Sequence, residues 1–138
     1  MTKFRCSRLL PLLMLLLLLC GCKGNPLPAG MEEAALTEAG RAVVLQLVQD
    51  DYEAVHESFR EDVRKSITAD QLRTLLLQQT ESAGVYRQIE STMVTGQSSD
   101  GEHYGVAVLY CEYSEDDVLF RVAFDKNLEL IGLEIRKQ

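Results

Sequence analysis

Val118-Leu119-Phe120-Arg121-Val122-Ala123-Phe124-Asp125-Lys126-Asn127-Leu128-Glu129-Leu130-Ile131-Gly132-Leu133-Glu134-Ile135-Arg136 carries the pattern that decides the fold class. Val118, Phe120, Val122 and Phe124 recur at every second position, which sends them to one face of an extended strand. Ile131, Leu133 and Ile135 do the same in a following strand, read as Leu128 to Arg136. Asp125-Lys126-Asn127 between them has the composition of a tight turn, so the stretch reads as a β-hairpin.

Upstream, Ser114 to Asp117 is an acidic turn, and Glu102 to Tyr113 is a longer strand. Ser98-Ser99-Asp100-Gly101 is another turn. Before it, Val85, Ile89 and Met93 alternate with polar residues in a first strand ending near Gly96. These four strands are consecutive, which predicts an antiparallel meander.

Before Gly84 the period lengthens to that of a helix. Leu36, Ala39, Gly40, Val43, Val44, Leu47 and Val48 are spaced by three and four and form one apolar stripe. Asp50-Asp51 ends it. A short second helix carries Tyr52, Val55, His56, Phe59 and Val63 on one side. The third begins at Thr68-Ala69-Asp70-Gln71, a capping box in which the threonine and glutamine side chains satisfy two exposed amides. Ile67 and Leu72 flank it at the spacing of a hydrophobic staple, and Gly84 is placed to terminate it in a left-handed conformation. Three helices followed by four strands predict an α+β domain, with the helices on one face of a curved antiparallel sheet.

The other face is apolar as well. Val106, Val108 and Tyr110 alternate with Gly105, Ala107, Leu109 and Cys111. Leu119, Ala123, Leu128 and Leu130 stand opposite the Phe and Val row. Two-sided apolarity predicts cover on both faces, from a second copy of the chain, a curled edge or the N-terminal segment.

The N-terminus has a different character. Lys3, Arg5 and Arg8 precede an apolar run from Leu9 to Cys20. At about a dozen residues the run is shorter than the ~20 that a spanning helix needs, and it fits a secretory signal peptide. Leu19-Cys20-Gly21-Cys22 resembles the lipobox of bacterial lipoproteins, with a large apolar residue, two small ones and a cysteine. The resemblance implies cleavage after Gly21 and a diacylglyceryl group on Cys22, which anchors the chain to the extracytoplasmic side of a cell membrane. A two-chain lipid anchor is stable where a single chain is marginal, because each buried methylene contributes about 0.8 kcal/mol. The expected organisation is a signal peptide over residues 1–21, a lipid-anchored tether over 22–30, and a domain over 31–138.

Removing residues 1–21 takes away Lys3, Arg5 and Arg8, moving the formal net charge from −7 to −10. Such a chain is not drawn to nucleic acid or to anionic lipid, so no nucleic-acid partner is expected and the domain is expected to stand off the membrane surface. Cys6 and Cys20 leave with the leader and Cys22 is taken by lipid, so Cys111 stands alone and no disulfide framework is possible.

Taken together, the Asp50-Asp51-Tyr52-Glu53 segment, the Thr68-to-Leu72 helix start, Gly84, Phe124-Asp125 and Leu130 to Leu133 resemble the nuclear-transport-factor-2-like superfamily. Within it the chain is similar to a domain of unknown function seen in bacterial lipoproteins and beside α/β-hydrolases. The resemblance spans Glu32 to Ile135. It implies a cone-shaped fold, often with a pocket between helices and sheet, and frequent dimerisation through the sheet. It implies no single activity, since the superfamily holds isomerases, dehydratases and many binding modules.

Few residues suggest chemistry. His56 is the one candidate base, one turn beyond Tyr52 on the apolar side of the second helix. No orienting carboxylate is identifiable, and a histidine bonded to a backbone carbonyl is the preferred reading. His103 reads as solvated beside a turn. Cys111 reads as a packed small hydrophobe, with Glu112 and Glu115 disfavouring a thiolate. Glu112, Glu115, Asp116 and Asp117 read as a solvated cluster. Asp125 to Glu129 echoes a calcium loop but has Leu130 where the glycine belongs. No metal site, cofactor, phosphate loop or serine-nucleophile elbow is read. The sequence therefore points to a non-catalytic, membrane-anchored module that binds a second copy or an envelope partner. A small enzyme or carrier for an apolar ligand in the cone is the alternative.

Overall fold

The computed structural model describes residues 24–138, so the expected signal peptide, with Gly21, and the expected lipid-attachment residue Cys22 lie outside the described residues. Four helical segments come first: α1 (Glu33–Val48), α2 (Tyr52–Ser58), α3 (Glu61–Arg64) and α4 (Ala69–Thr80). Four strands follow: β1 (Tyr86–Ser99), β2 (Glu102–Tyr113), β3 (Val118–Phe124) and β4 (Leu130–Lys137). The strands form one open antiparallel sheet in sequence order. The α+β class and the meander are those expected from the sequence.

The helix count differs by one, for a definable reason. Phe59 and Arg60 leave helical geometry, and the Arg60 amide donates to the Leu130 carbonyl at 2.8 Å while Phe59 forms an isolated parallel bridge to Leu130. A segment pairing with the β4 edge cannot remain helical, so the expected second helix is split. Elsewhere the local signals hold. Gln71 N donates to Thr68 Oγ1 at 3.1 Å and Thr68 N donates to Gln71 Oε1 at 2.9 Å, completing the capping box. Asp51 caps α2 by accepting from Ala54 N at 3.3 Å. Helix α4 stops at Thr80, a turn follows, and Gly84 takes the left-handed conformation at φ 91°.

Two bulges reassign side chains. In β1 the register shifts between Ile89 and Ser91, so Ile89 pairs with Cys111 on the helix side while Met93 pairs with Val108 on the opposite, open face. One extra residue in an alternating strand sends everything beyond it to the other side. The expectation that Val85, Ile89 and Met93 share a face is therefore corrected; Val85 is exposed. Where β3 meets β4, Phe124 pairs with Leu130 but Ala123 with Gly132. Ile131 is the extra residue, and Leu130, expected on the open face, is fully buried in the core with Ile135.

Helix α1 lies across β1, β2 and β3, and α4 packs against β4. Between the layers Leu36, Leu47, Val55, Leu72, Leu109 and Phe120 are completely buried. The closest approach is at Gly40, where a Cβ would stand 2.6 Å from the Cβ of Ala107. Both atoms would be fixed to backbone, so neither can swing aside. Gly40→Ala is expected to destabilise the domain by about 1–3 kcal/mol through overpacking, although alanine is the better helix former by about 1 kcal/mol. Adding Ala107→Gly should recover most of that loss. Urea unfolding of the two variants measures it, and a Gly40→Ala protein as stable as the parent would remove this contact as a determinant of the layer spacing.

Candidate functional site

His56 is held by the turn between α3 and α4. Its Nε2 lies 2.7 Å from the Ile67 carbonyl and 3.3 Å from that of Arg64. Carbonyl oxygens only accept, so Nε2 carries a proton and Nδ1 is left as the basic nitrogen. Nδ1 sits 3.9 Å from Glu57 Oε1 at the surface, away from the space between helices and sheet. In this position the ring ties α2 to the start of α4.

The interlayer space itself is filled. Buried side chains from α1, α2, α4 and all of β2, β3 and β4 meet there in one cluster, and Leu27, Met31, Tyr86 and Ile89 close its margin. Cys111 belongs to it and is fully buried. Burial is the main cause that pushes its thiol up to about 12, with Arg41 opposing and Glu90 adding to the shift. The sequence reading credited Glu112 and Glu115; desolvation is what disfavours the thiolate here.

Polar groups gather instead at one end of the sheet, where the Asp100-Gly101 turn, the β3–β4 hairpin and the Phe59-Arg60 break come together. Arg60 is the centre. Its Nε and Nη2 grip the two oxygens of Asp62 at 2.8 and 3.0 Å. Its Nη1 donates to Glu102 Oε1 at 2.6 Å and to Asp125 Oδ2 at 3.3 Å. The hydrogen bonds it donates to Asp62 and then Glu102 raise the guanidinium above its ordinary range, and the same bond to Asp62 lowers that carboxyl. Asp125 is buried, and its Oδ1 accepts from the amides of Asn127 and Glu129, both at 2.9 Å. One carboxylate thus folds the hairpin back on itself and faces Arg60. Among the described residues no three His, Cys, Asp or Glu side chains form a metal-holding group. Sequence reading passed over Arg60, whose partners Glu102 and Asp125 lie 42 and 65 residues away.

The N-terminal segment, read as tether, follows a defined path beside this end. Asn25 N donates to Thr95 Oγ1 at 3.1 Å, and Gly96 N donates to the Asn25 carbonyl at 2.9 Å. At Gly96 the chain passes so close that any Cβ would strike the Pro26 carbonyl. Leu27 then enters the margin of the core. The segment, with Gly96 to Ser98, His103 and Lys126, lines a surface cleft of about 530 Å³. Neighbouring depressions of about 320 Å³ are lined by Gly101 to His103 with Asp125 to Asn127, and by Arg60, Val63 and Glu102 with Tyr104 and Ile131. His103 is exposed, as are Glu115, Asp116 and Asp117.

The open face of the sheet completes the inventory. Val106, Val108 and Leu119 are already buried within the chain, packed with Tyr104 and Ala123, while Met93 and Tyr110 remain exposed at 46% and 38%. Much of the cover that the two-sided pattern calls for on that face is supplied by neighbouring side chains of the same sheet. Among the described residues no helix is long and apolar enough to cross a membrane.

A family profile described as "Protein of unknown function (DUF3887)" matches residues 41–133 of this chain. Among solved structures, the NMR structure of a protein from Ruminococcus gnavus ATCC 29149 is similar, with 22% identity and a TM-score of 0.67. The match covers 79% of this chain and 95% of that one, a likeness of fold. A comparison with curated proteins gives no match.

Two outcomes follow from this geometry. Asp125→Ala should cost about 2–4 kcal/mol in urea unfolding, because it strands two amides and removes one of Arg60's anionic partners; Asp125→Asn should cost less. A loss below about 0.5 kcal/mol, the range of ordinary surface substitutions, would show that the hairpin does not depend on the carboxylate. The second concerns pH. A thiol raised from 9.0 to about 12 ionises first in the unfolded chain. Its stabilising contribution is complete below pH 9 and is lost as pH climbs towards 12. Stability should fall by up to about 1.4 kcal/mol per pH unit on this account, with buried Tyr113 adding to the slope at the alkaline end. Unfolding curves at pH 8.5 and 10.5 should diverge for the parent, and Cys111→Ala should flatten the difference.

Proposed function

The chain belongs to the DUF3887 family of proteins of unknown function, and on that premise we propose that it is a lipid-anchored, non-catalytic interaction module of the cell envelope. On this reading residues 1–21 are a signal peptide removed after Gly21, and Cys22 carries a diacylglyceryl group on the extracytoplasmic side of the membrane. The basic start, the apolar run from Leu9 and the Leu19-Cys20-Gly21-Cys22 motif support the anchoring half. Helices laid across a bulged four-stranded meander support a nuclear-transport-factor-2-like cone.

The observation that carries the non-catalytic half is the filled interior. In a cone that works on a small apolar substrate, the space between helices and sheet holds the substrate and the proton-transfer groups face it. Here that space is occupied by Leu36, Leu47, Leu109, Phe120 and their neighbours. Cys111 and Tyr113 are packed within it, where burial disfavours their ionisation, while the other candidates for proton transfer face elsewhere. His56 spends its donor on Ile67, and Arg60 is engaged by three carboxylates. Surface relief is concentrated at the polar end around Glu102, His103, Asp125 and Lys126, which favours recognition of another macromolecule over enclosure of a small one. An envelope protein or a second copy of the chain is the partner this reading expects.

The test compares the full chain with Cys22→Ser in its own host. The parent should fractionate with membranes and the variant should accumulate unprocessed or appear in the soluble fraction. Equal processing and membrane retention of both would overturn the anchoring. Assay of the parent against envelope metabolites supplies the second arm: an activity abolished by His56→Gln, with the fold retained, would replace the interaction reading with an enzymatic one.

A further inference from the structure

The route of the N-terminal segment fixes which side of the domain a lipid on Cys22 would hold towards the bilayer. Thr95 pairs with Val106, so its side chain stands on the open face of the sheet. Gly24 lies against that side chain, a Cβ there meeting Thr95 Oγ1 at 3.0 Å, and the Asn25 amide is bonded to the same hydroxyl. From there the chain turns around the β1 edge at Gly96 and reaches the helix side, where Leu27 joins the core margin. Six residues lie between Cys22 and Ala29 in the sequence, but those from Gly24 onward are spent in following the sheet edge. What remains between Cys22 and the fixed Gly24 is two residue steps, at most about 7 Å.

Charge is divided along the same axis. Between Glu32 and Glu81, the helical half, eleven acidic residues stand against five basic ones. On the open face, the outward positions of the four strands carry Glu102, Glu112 and Glu134 against Arg121 and Arg136, a far smaller excess of acid. Exposed Met93 and Tyr110 sit among them. A nearly charge-balanced face with one exposed thioether and one exposed phenol suits the headgroup level of a bilayer, where amphipathic aromatic rings settle, better than the acidic helices do. The acidic helices within a screening length of the same surface, about 8–10 Å, would be repelled.

We propose that the open face of the sheet, around Met93, Tyr110, Arg121 and Arg136, lies against the membrane surface, with the helices and the Arg60 end turned towards the envelope space. This rests on the lipid anchor at Cys22 and refines it. The overall charge of the mature chain would hold a freely tethered domain off the bilayer; the short residual link and the uneven charge make it lie down on one side.

The test uses full-length lipidated protein in vesicles of phosphatidylglycerol and phosphatidylethanolamine. A fluorophore is attached through Met93→Cys, or through Glu53→Cys on the exposed helical side. Headgroup spin-labelled lipid serves as quencher. Vesicle flotation comes first, and protein that fails to float refutes the anchor itself. For floated protein, quenching at position 93 should exceed that at position 53 at least threefold, and Arg121→Glu with Arg136→Glu should narrow the gap. Equal quenching at the two positions, or stronger quenching at 53, overturns the orientation while leaving the anchor intact. Position 93 shielded from aqueous iodide yet unquenched by the lipid label would assign the face to a second copy instead, and also overturns it.

Discussion

The contact of α1 with β2 sets the terms for everything else. Where the helix crosses the sheet neither surface has bulk to spare: Gly40 stands over Ala107, and Gly105 makes room for Leu36 and Met31. Layers that approach so closely leave the interior to be filled by side chains from both, and the large apolar residues of α1, α4, β2 and β3 fill it. A substrate-sized hollow would need one of these layers to lift. The same small residues that hold the layers together therefore underlie the proposal that recognition takes place on the outside.

The outside is organised by what happens at the two sheet edges. An unpaired edge invites another strand, and each edge here is met by a segment of the chain itself. The Asn25 carbonyl takes the Gly96 amide on β1, and Arg60 gives its amide to Leu130 on β4. Each of these segments does a second thing. The first carries the chain from the open face round to the core. The second delivers a guanidinium to three carboxylates and locks the β3–β4 hairpin through Asp125. Edge protection and the polar end of the domain are thus consequences of the same two crossings.

Apolar residues on the open face pose a different problem from the one their pattern suggests. Alternation in β2 and β3 calls for cover on both sides. Val106, Val108 and Leu119 find much of it from one another, from Ala123 and from the ring of Tyr104, whose hydroxyl donates to Gln97 Oε1 at 3.2 Å. A bulge in β1 brings Met93 to this face in place of a polar neighbour. The face is apolar at its centre and amphipathic at its rim, a combination that suits a bilayer surface as readily as a protein.

Several elements could be read directly from the sequence because their determinants are contiguous. A capping box needs only Thr68 and Gln71, a helix face only spacings of three and four, a hairpin only alternation about a turn. The α+β class, the meander and the start of α4 follow from those. His56 and Cys111 were also identifiable as the residues to question, and the resemblance of Leu19-Cys20-Gly21-Cys22 to a lipobox needs no fold to be seen. Tertiary structure decided what depends on partners far along the chain: the break at Phe59, which belongs to Leu130; the Arg60 cluster, two of whose three carboxylates lie dozens of residues away; and the bulges at Glu90 and Ile131, which move Met93 outward and Leu130 inward. Short-range patterns record how a segment meets solvent and core. They carry no record of which distant segment completes its hydrogen bonds, and it is that completion which set the path of residues 24–29 and the side from which the chain departs.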